Sequence, residues 1–291
     1  MLAARARRAV GRCRRAVHRG PPMTAPLPSV ARPGLRRPAG LPLPASLPPA
    51  TGVPLPAGRR LPGTADDGAR PWSHDPFAEA MRTGCGPLWL RRSDGHRHAL
   101  DVERWCAPPD AADRTLLLRC LRRGLPALDL GCGPGRLVSA LQALGLPALG
   151  VDVTHTAVAR TRGIGGSALC RSLFDRLPGE GRWGTALLVD GNLGIGGDPD
   201  ALLGRTAELL SEHGLLLVEV EPEDVDEQVT VAVEDGSGRC GPAFPWARLG
   251  ARAAVRRAAS AGLTPVEAWV SQGRHFLGLR RASDSDRTAG V

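Results

Sequence analysis

Four stretches of the chain, at 127–130, 148–151, 186–189 and 215–218, are runs of consecutive apolar residues broken only by Asp129. Unbroken runs of this length mark strands buried on both faces, as in a parallel sheet, because a sheet with one wet face alternates apolar and polar positions. A weaker run lies at 167–170. Between the runs the apolar spacing changes to that of helices. Leu137, Val138 and Leu141 line one over 136–143, a second covers 154–161, and a third covers 200–210 with Asp198 as N-cap and Pro199 in the first helical position. Strands alternating with helices predict an open, doubly wound α/β sheet with right-handed crossovers. Towards the C-terminus a helix over 246–261 leads to runs at 266–270 and 275–279, whose turn at Gly273 predicts an antiparallel hairpin that finishes the sheet.

Ahead of this region Leu88 and Leu90, then His98, Leu100 and Val102, flank Asp94-Gly95, so 87–103 reads as a β-hairpin. Asp113 is placed to cap a helix over 115–123. Residues 71–124 are therefore expected to form a small cap, and 125–282 the main domain. Residues 1–70 differ in kind: the first 65 hold 12 Arg and no acid, and thirteen prolines fall between 21 and 62. Such a segment builds neither helix nor ladder and is expected to be a disordered tail, or in its first residues an extension upstream of a start at Met23. A second short tail is expected at 283–291. Residues 66–291 carry 26 Arg against 29 acids, a balance of −3, so the overall +9 belongs to the tail. The charge of the folded part gives no support to a nucleic-acid partner.

The sequence contains no lysine, which excludes a GxxxxGK[ST] phosphate loop and Schiff-base chemistry. Arginine in its place reads as a coding bias. The seven cysteines form no CxxC pair, which favours reduced thiols, a cytoplasmic setting and no metal site. No apolar stretch is long enough for a membrane span, and no membrane partner is expected.

In a doubly wound sheet ligands bind at the carboxyl ends of the strands, where strand order reverses. The loop after the first run reads Asp129-Leu130-Gly131-Cys132-Gly133-Pro134-Gly135-Arg136. Its glycines permit a sharp turn and close approach to a ligand. The dinucleotide fingerprint GxGxxG fails in both registers, at Arg136 and at Val138, which disfavours NAD and FAD. The segment resembles motif I of the class I S-adenosylmethionine-dependent methyltransferases, an acid followed by GxGxG. Asp152, 17 residues beyond Gly135, ends the second strand where that family places the acid for the ribose hydroxyls.

The resemblance covers about half the chain, from Leu125 to about Arg281. It implies a Rossmann-like core with a seven-stranded, mostly parallel sheet, S-adenosylmethionine as cofactor, and cofactor contacts from Asp129, Gly131, Cys132, Gly133, Gly135, Asp152, Val153, Ser172 and Asp190. The pattern departs from the family after the third strand, where Arg171-Ser172-Leu173-Phe174-Asp175 replaces the usual adenine-binding acid; Ser172 or Asp175 is the substitute, and Leu173 or Phe174 a wall of the adenine pocket. After the fourth strand, Asp190-Gly191-Asn192 lacks the N/D-P-P-F/Y and Pro-Cys signatures of nucleic-acid enzymes. It supplies a carboxylate and an amide suited to a small-molecule acceptor, with Asp190 and Asn192 as catalytic candidates and His155 or His275 as other bases. Asn192 and Asp190 have a structural reading as loop caps as well. His96 and His98 share a strand face without a third ligand.

Glu219, Glu221, Glu223, Asp224, Asp226 and Glu227 read as a solvated loop, with a cation or basic substrate as the alternative. Phe244, Trp246, Trp72 and Trp89 are candidate walls of the acceptor pocket. Two other functions fit the same sequence: a core that binds S-adenosylmethionine without transferring its methyl group, and a protein or nucleic-acid methyltransferase anchored by the basic tail.

Overall fold

The computed structural model describes residues 76–282. The two expected tails and the Trp72 assignment lie outside the described residues. In chain order, helix α1 (Phe77–Thr83) precedes the hairpin β1 (Leu88–Arg92) and β2 (Arg97–Leu100), then α2 (Val102–Cys106) and α3 (Ala111–Arg123). The alternating region follows: β3 (Ala127–Leu130), α4 (Arg136–Ala143), β4 (Ala148–Asp152), α5 (His155–Gly163), β5 (Ala168–Cys170) and β6 (Trp183–Leu188). A 3-10 segment (Asn192–Gly197) leads to α6 (Pro199–Leu209) and β7 (Leu210–Val220). The chain ends with β8 (Asp226–Asp235), β9 (Phe244–Leu249), α7 (Ala251–Ser260), β10 (Leu263–Ser271) and β11 (Arg274–Arg281).

Seven strands form one sheet in the order β10-β11-β7-β6-β3-β4-β5. Its five central and far-side strands pair in parallel, while β11 runs antiparallel to β7 and β10 to β11, as the terminal hairpin predicts. Every residue of β3 is buried, which is why its run does not alternate. One face packs Leu116, Leu117 and Cys120 of α3 and Leu137, Val138 and Leu141 of α4; the other packs Leu202 and Leu203 of α6 and the alanines of α7. The chain leaves β3 towards β4 and β5, then returns to the opposite side of β3 for β6, so the sheet's switch point lies between the loops after β3 and β6.

The hairpin and the segment after β7 share a second, antiparallel sheet of order β2-β1-β8-β9. Leu90 lies opposite Val233, and Val229 opposite Trp246. Its inward face buries Leu88, Leu90, Val231, Val233, Phe244 and Trp246 in one cluster with Phe77 and Met81 of α1 and Ala157 of α5.

Three expectations are corrected. The final helix starts at Ala251, because residues 244–249 form a strand paired with β8. Helix α3 starts at Ala111 with Asp110 as N-cap; Asp113 is the third helical residue, closing a capping box with Asp110. The expected solvated loop is confined to 221–225, where Glu223 and Asp224 are exposed; Glu219 lies in β7 and Asp226 and Glu227 in β8, and Glu221 meets Arg248, Asp226 meets Arg256 and Arg257, and Glu227 meets Arg92. Among the described residues no helix is long and apolar enough to cross a membrane.

Candidate active site

The glycine loop is held from three sides. Asn192 Nδ2 donates to the carbonyls of Leu130 and Gly131, 3.0 and 2.8 Å away, and so ties the loop after β6 to the loop after β3. Thr161 Oγ1 donates to the Gly133 carbonyl at 2.9 Å. The Gly133 N–H donates to Asp152 Oδ2 at 2.9 Å, and the Thr154 N–H to Asp152 Oδ1 at 2.8 Å. These two bonds orient the carboxylate and leave a second lone pair on each oxygen for hydroxyl donors. Burial nevertheless pushes the Asp152 carboxyl above its ordinary range, the backbone bonds offsetting only part of the effect.

The loop's glycines serve different ends. Gly135 is at φ +85°, and a Cβ there would collide with Thr161; a Cβ on Gly131 would meet Asn192 Nδ2 at 2.6 Å. A Cβ on Gly133 would meet nothing within 4 Å. Gly131 and Gly135 therefore permit packing, whereas Gly133 borders open space beside the Asp152 carboxylate. The Cys132 side chain is buried against Gly150 and Val138, leaving only its backbone to face that space. Asp129, 4% exposed, lies beneath the loop, and burial, reinforced by Asp190, Asp152 and Asp113 against the pull of Arg136, pushes its carboxyl up to about 7.

A cluster of charge that sequence reasoning missed adjoins the loop. Arg136, the first residue of α4, makes a two-pronged bond to Asp113 with both contacts at 2.8 Å, and reaches Asp190 at 2.7 Å. Arg274, at the start of β11, grips Glu219 through two 2.8 Å bonds and touches Asp113 at 2.9 Å and Asp190 at 3.1 Å. Arg104 of α2 completes the set at 2.8 Å from Asp190. The Asp190 N–H donates to Glu219. Asp190 is itself at φ +62°, a backbone conformation that the cluster sustains. Burial would raise both Asp113 and Asp190, but the guanidinium groups outweigh it and hold both carboxyls below their usual range.

Asp190 also borders a cavity of about 610 Å³ between the switch point, the β10–β11 turn and the inner face of the second sheet. Trp246 forms part of its wall, packed so closely on the loop after β6 that a Cβ on Gly194 would stand 2.5 Å from its indole. Leu90, Val229 and Val231 continue the apolar wall. The other expected wall residues lie elsewhere: Phe244 is in the core beside Trp246, and Trp89 lies under the Arg97 guanidinium on the sheet. His98 and His275 line the cavity, whereas His155 is an exposed residue at the start of α5. Ser172 Oγ accepts from the Phe174 N–H, Leu173 is core, Phe174 packs near Gly196, and Asp175 is exposed. Val153 is half-buried, and its carbonyl accepts from Cys170. Among the described residues no group of three histidine, cysteine or carboxylate side chains is placed to hold a metal ion.

No family model matches the chain, and no curated protein is similar to it in sequence. Solved structures are similar in fold. A SAM-dependent methyltransferase from Bacteroides fragilis, in complex with S-adenosyl-L-homocysteine, superposes with a TM-score of 0.59 at 18% identity, over 71% of this chain and 92% of that one. The CcbJ methyltransferase from Streptomyces caelestis gives 0.46 at 20% identity, over 62% and 92% of the two chains. A 1,6-didemethyltoxoflavin-N1-methyltransferase from Burkholderia thailandensis gives 0.45 at 20% identity, over 60% and 78%. By the first of these likenesses the chain has the fold of an S-adenosylmethionine-dependent methyltransferase.

Proposed function

We propose that the protein moves the methyl group of S-adenosylmethionine to a small-molecule acceptor. The observation that carries this reading is the open space over Gly133, bordered by the oriented Asp152 carboxylate, at the switch point of a sheet whose solved counterpart binds S-adenosylhomocysteine. The residues fit the cofactor. Asp152 would accept from the ribose hydroxyls, the backbone of Gly131 to Gly135 would line the methionine portion, and Asp129 would lie near its ammonium and sulfonium charges. When bound, the cofactor supplies an activated methyl group on a sulfonium, so the protein has only to align the acceptor, exclude water and handle a proton.

Asp190 borders both the glycine-loop side and the cavity, and in this reading it is a positioning residue. Its Oδ1 already accepts from three guanidinium groups and its Oδ2 from Arg136. A carboxylate so engaged, with its affinity for protons lowered, is a weak base. Asn192, whose amide nitrogen is committed to two loop carbonyls, positions the glycine loop in the same sense. The cavity beneath the second sheet receives the acceptor, with Trp246 as its aromatic wall.

Calorimetric titration of the full chain with S-adenosylmethionine, S-adenosylhomocysteine and NAD tests the proposal. Saturable binding of the first two and none of NAD supports it. Binding of NAD alone, or of none, overturns it.

A further inference from the structure

We propose that the cavity selects an acceptor without ionic groups: a compact, ring-bearing molecule that presents only neutral hydrogen-bonding atoms. This rests on the methyltransferase reading for the word acceptor, and on the cavity's own chemistry for the rest. Five arginines and six carboxylates line the space, and each is already in an ion pair. At the rim, inward-facing side chains of the second sheet form a charged ladder: Arg92 meets Glu227 at 3.0 Å, Arg248 meets Glu227 at 3.5 Å and Glu221 at 2.8 Å. At the inner end the pairs are those of the cluster, Arg274 with Glu219 and Arg104 with Asp190, both at 2.8 Å.

A phosphate or carboxylate entering this space finds no free guanidinium, and an ammonium finds no free carboxylate. At the inner end, where Arg274, Asp190 and Glu219 are no more than 15% exposed, either must break an existing pair or enter without a counter-charge, and both are costly away from bulk water. Selection is therefore by exclusion as much as by attraction. What the wall offers instead is apolar surface from Leu90, Val229, Val231 and Trp246. His98 and His275, which belong to no ion pair among the described residues, supply polar contacts that a neutral hydroxyl, amide or ring nitrogen can use.

The test uses three molecules of one shape: 2-naphthol, 2-naphthoate and 2-naphthylmethylammonium. Each is titrated calorimetrically into the full chain, with and without saturating S-adenosylhomocysteine. We expect naphthol to bind at least about tenfold more tightly than either ion. Glu227→Gln, which releases the Arg92 and Arg248 contacts to that carboxylate, should strengthen naphthoate about tenfold while leaving naphthol within about threefold. Arg248→Gln should favour the ammonium in the same way. Equal or tighter binding of either ion by the wild-type chain overturns the proposal, as does absence of binding by all three or a Glu227→Gln variant blind to naphthoate. Failure of S-adenosylhomocysteine to bind refutes the methyltransferase reading separately, because the ranking of the three probes is also measured without it.

Discussion

Asp129 offers a perturbation whose size follows from its surroundings. It is the one charged residue within β3, every residue of which is buried, and burial raises its carboxyl from 3.8 to about 7. The folded state therefore holds a proton that the unfolded chain gives up at a lower pH. Stability from this site is fully present below about 3.8, declines as pH rises, and is lost once pH passes 7. A shift of about three units corresponds to roughly 4 kcal/mol.

Asp129→Asn keeps the shape and removes the titration, so the variant should equal or trail the wild type in acid and overtake it as pH rises. Above pH 7 the gap should approach about 4 kcal/mol, or roughly 8 to 16 °C in Tm for a domain of this size. Scanning calorimetry of both chains from pH 5 to about 8.5 at fixed ionic strength measures it directly. A gap that does not change with pH, or a wild type that remains the more stable above pH 7, would refute the argument. The same carboxyl links stability to ligand. A cationic cofactor favours its ionised form, so S-adenosylmethionine should bind more tightly to the wild type as pH rises through 7, and the variant's affinity should stay level across that range.

Gly133→Val should leave the fold in place, at about 1–2 kcal/mol for its positive φ, while abolishing cofactor binding; Gly135→Ala should instead lower Tm, because its Cβ meets Thr161. Thermal melts alongside S-adenosylhomocysteine titrations separate the two, and equal behaviour would show that neither glycine borders ligand space. Arg136→Met removes the two-pronged partner of the buried Asp113 carboxylate and leaves it a single guanidinium contact, from Arg274, so it should cost about 3 kcal/mol in urea unfolding; a loss under about 1 kcal/mol would show that Arg274 is guanidinium enough for the carboxylate. Asp190→Asn should reduce stability and raise the acceptor KM together, as expected of a positioning residue. A fall in kcat alone, with the loss of one limb of its pH profile, would restore Asp190 as the base.

The main sheet was legible because its strands are buried on both faces, and burial of that kind leaves continuous apolar runs such as those of β3 and β6. Helix α6 was legible from its cap, where Asp198 accepts from the Ala201 N–H as Pro199 opens the first turn. Strand β9 was not, because Phe244-Pro245-Trp246 gains its strand character from pairing with β8, and the alanine-rich residues after it carry a strong helical pattern. The two halves of the second sheet are more than a hundred residues apart, and no local signal records that Leu90 faces Val233.

The charge cluster was obscured for a different reason. In a chain whose only basic side chains besides histidine are arginines, no single arginine stands out, and the partners that Arg104, Arg136 and Arg274 meet in the cluster are far from them in sequence. One signal was present. Asp113, Leu116, Leu117 and Cys120 fall at i, i+3, i+4 and i+7, so an acid occupies the apolar stripe of α3 and is fully buried. A buried acid requires a partner.

That partner explains the departure of the glycine loop from the dinucleotide pattern. Arg136 occupies the position where GxGxxG would place its last glycine, the residue that lets a helix pack closely on its strand. Here the side chain is retained and turned inward, where it bonds Asp113 of α3 and Asp190 beyond β6. The helix after the loop is thereby fixed to α3 and to the loop after β6 through one guanidinium. Arg274 repeats the arrangement from the terminal hairpin, and Arg104 from the segment that follows β2. Three arginines meet Asp113, Asp190 and Glu219, so the charges of the junction balance. The glycine loop and the walls of the cavity beneath the second sheet are therefore held in register by the same six side chains. In the proposed methyl transfer, where the protein's contribution is chiefly alignment, that shared anchorage would be the chemically consequential feature of the fold.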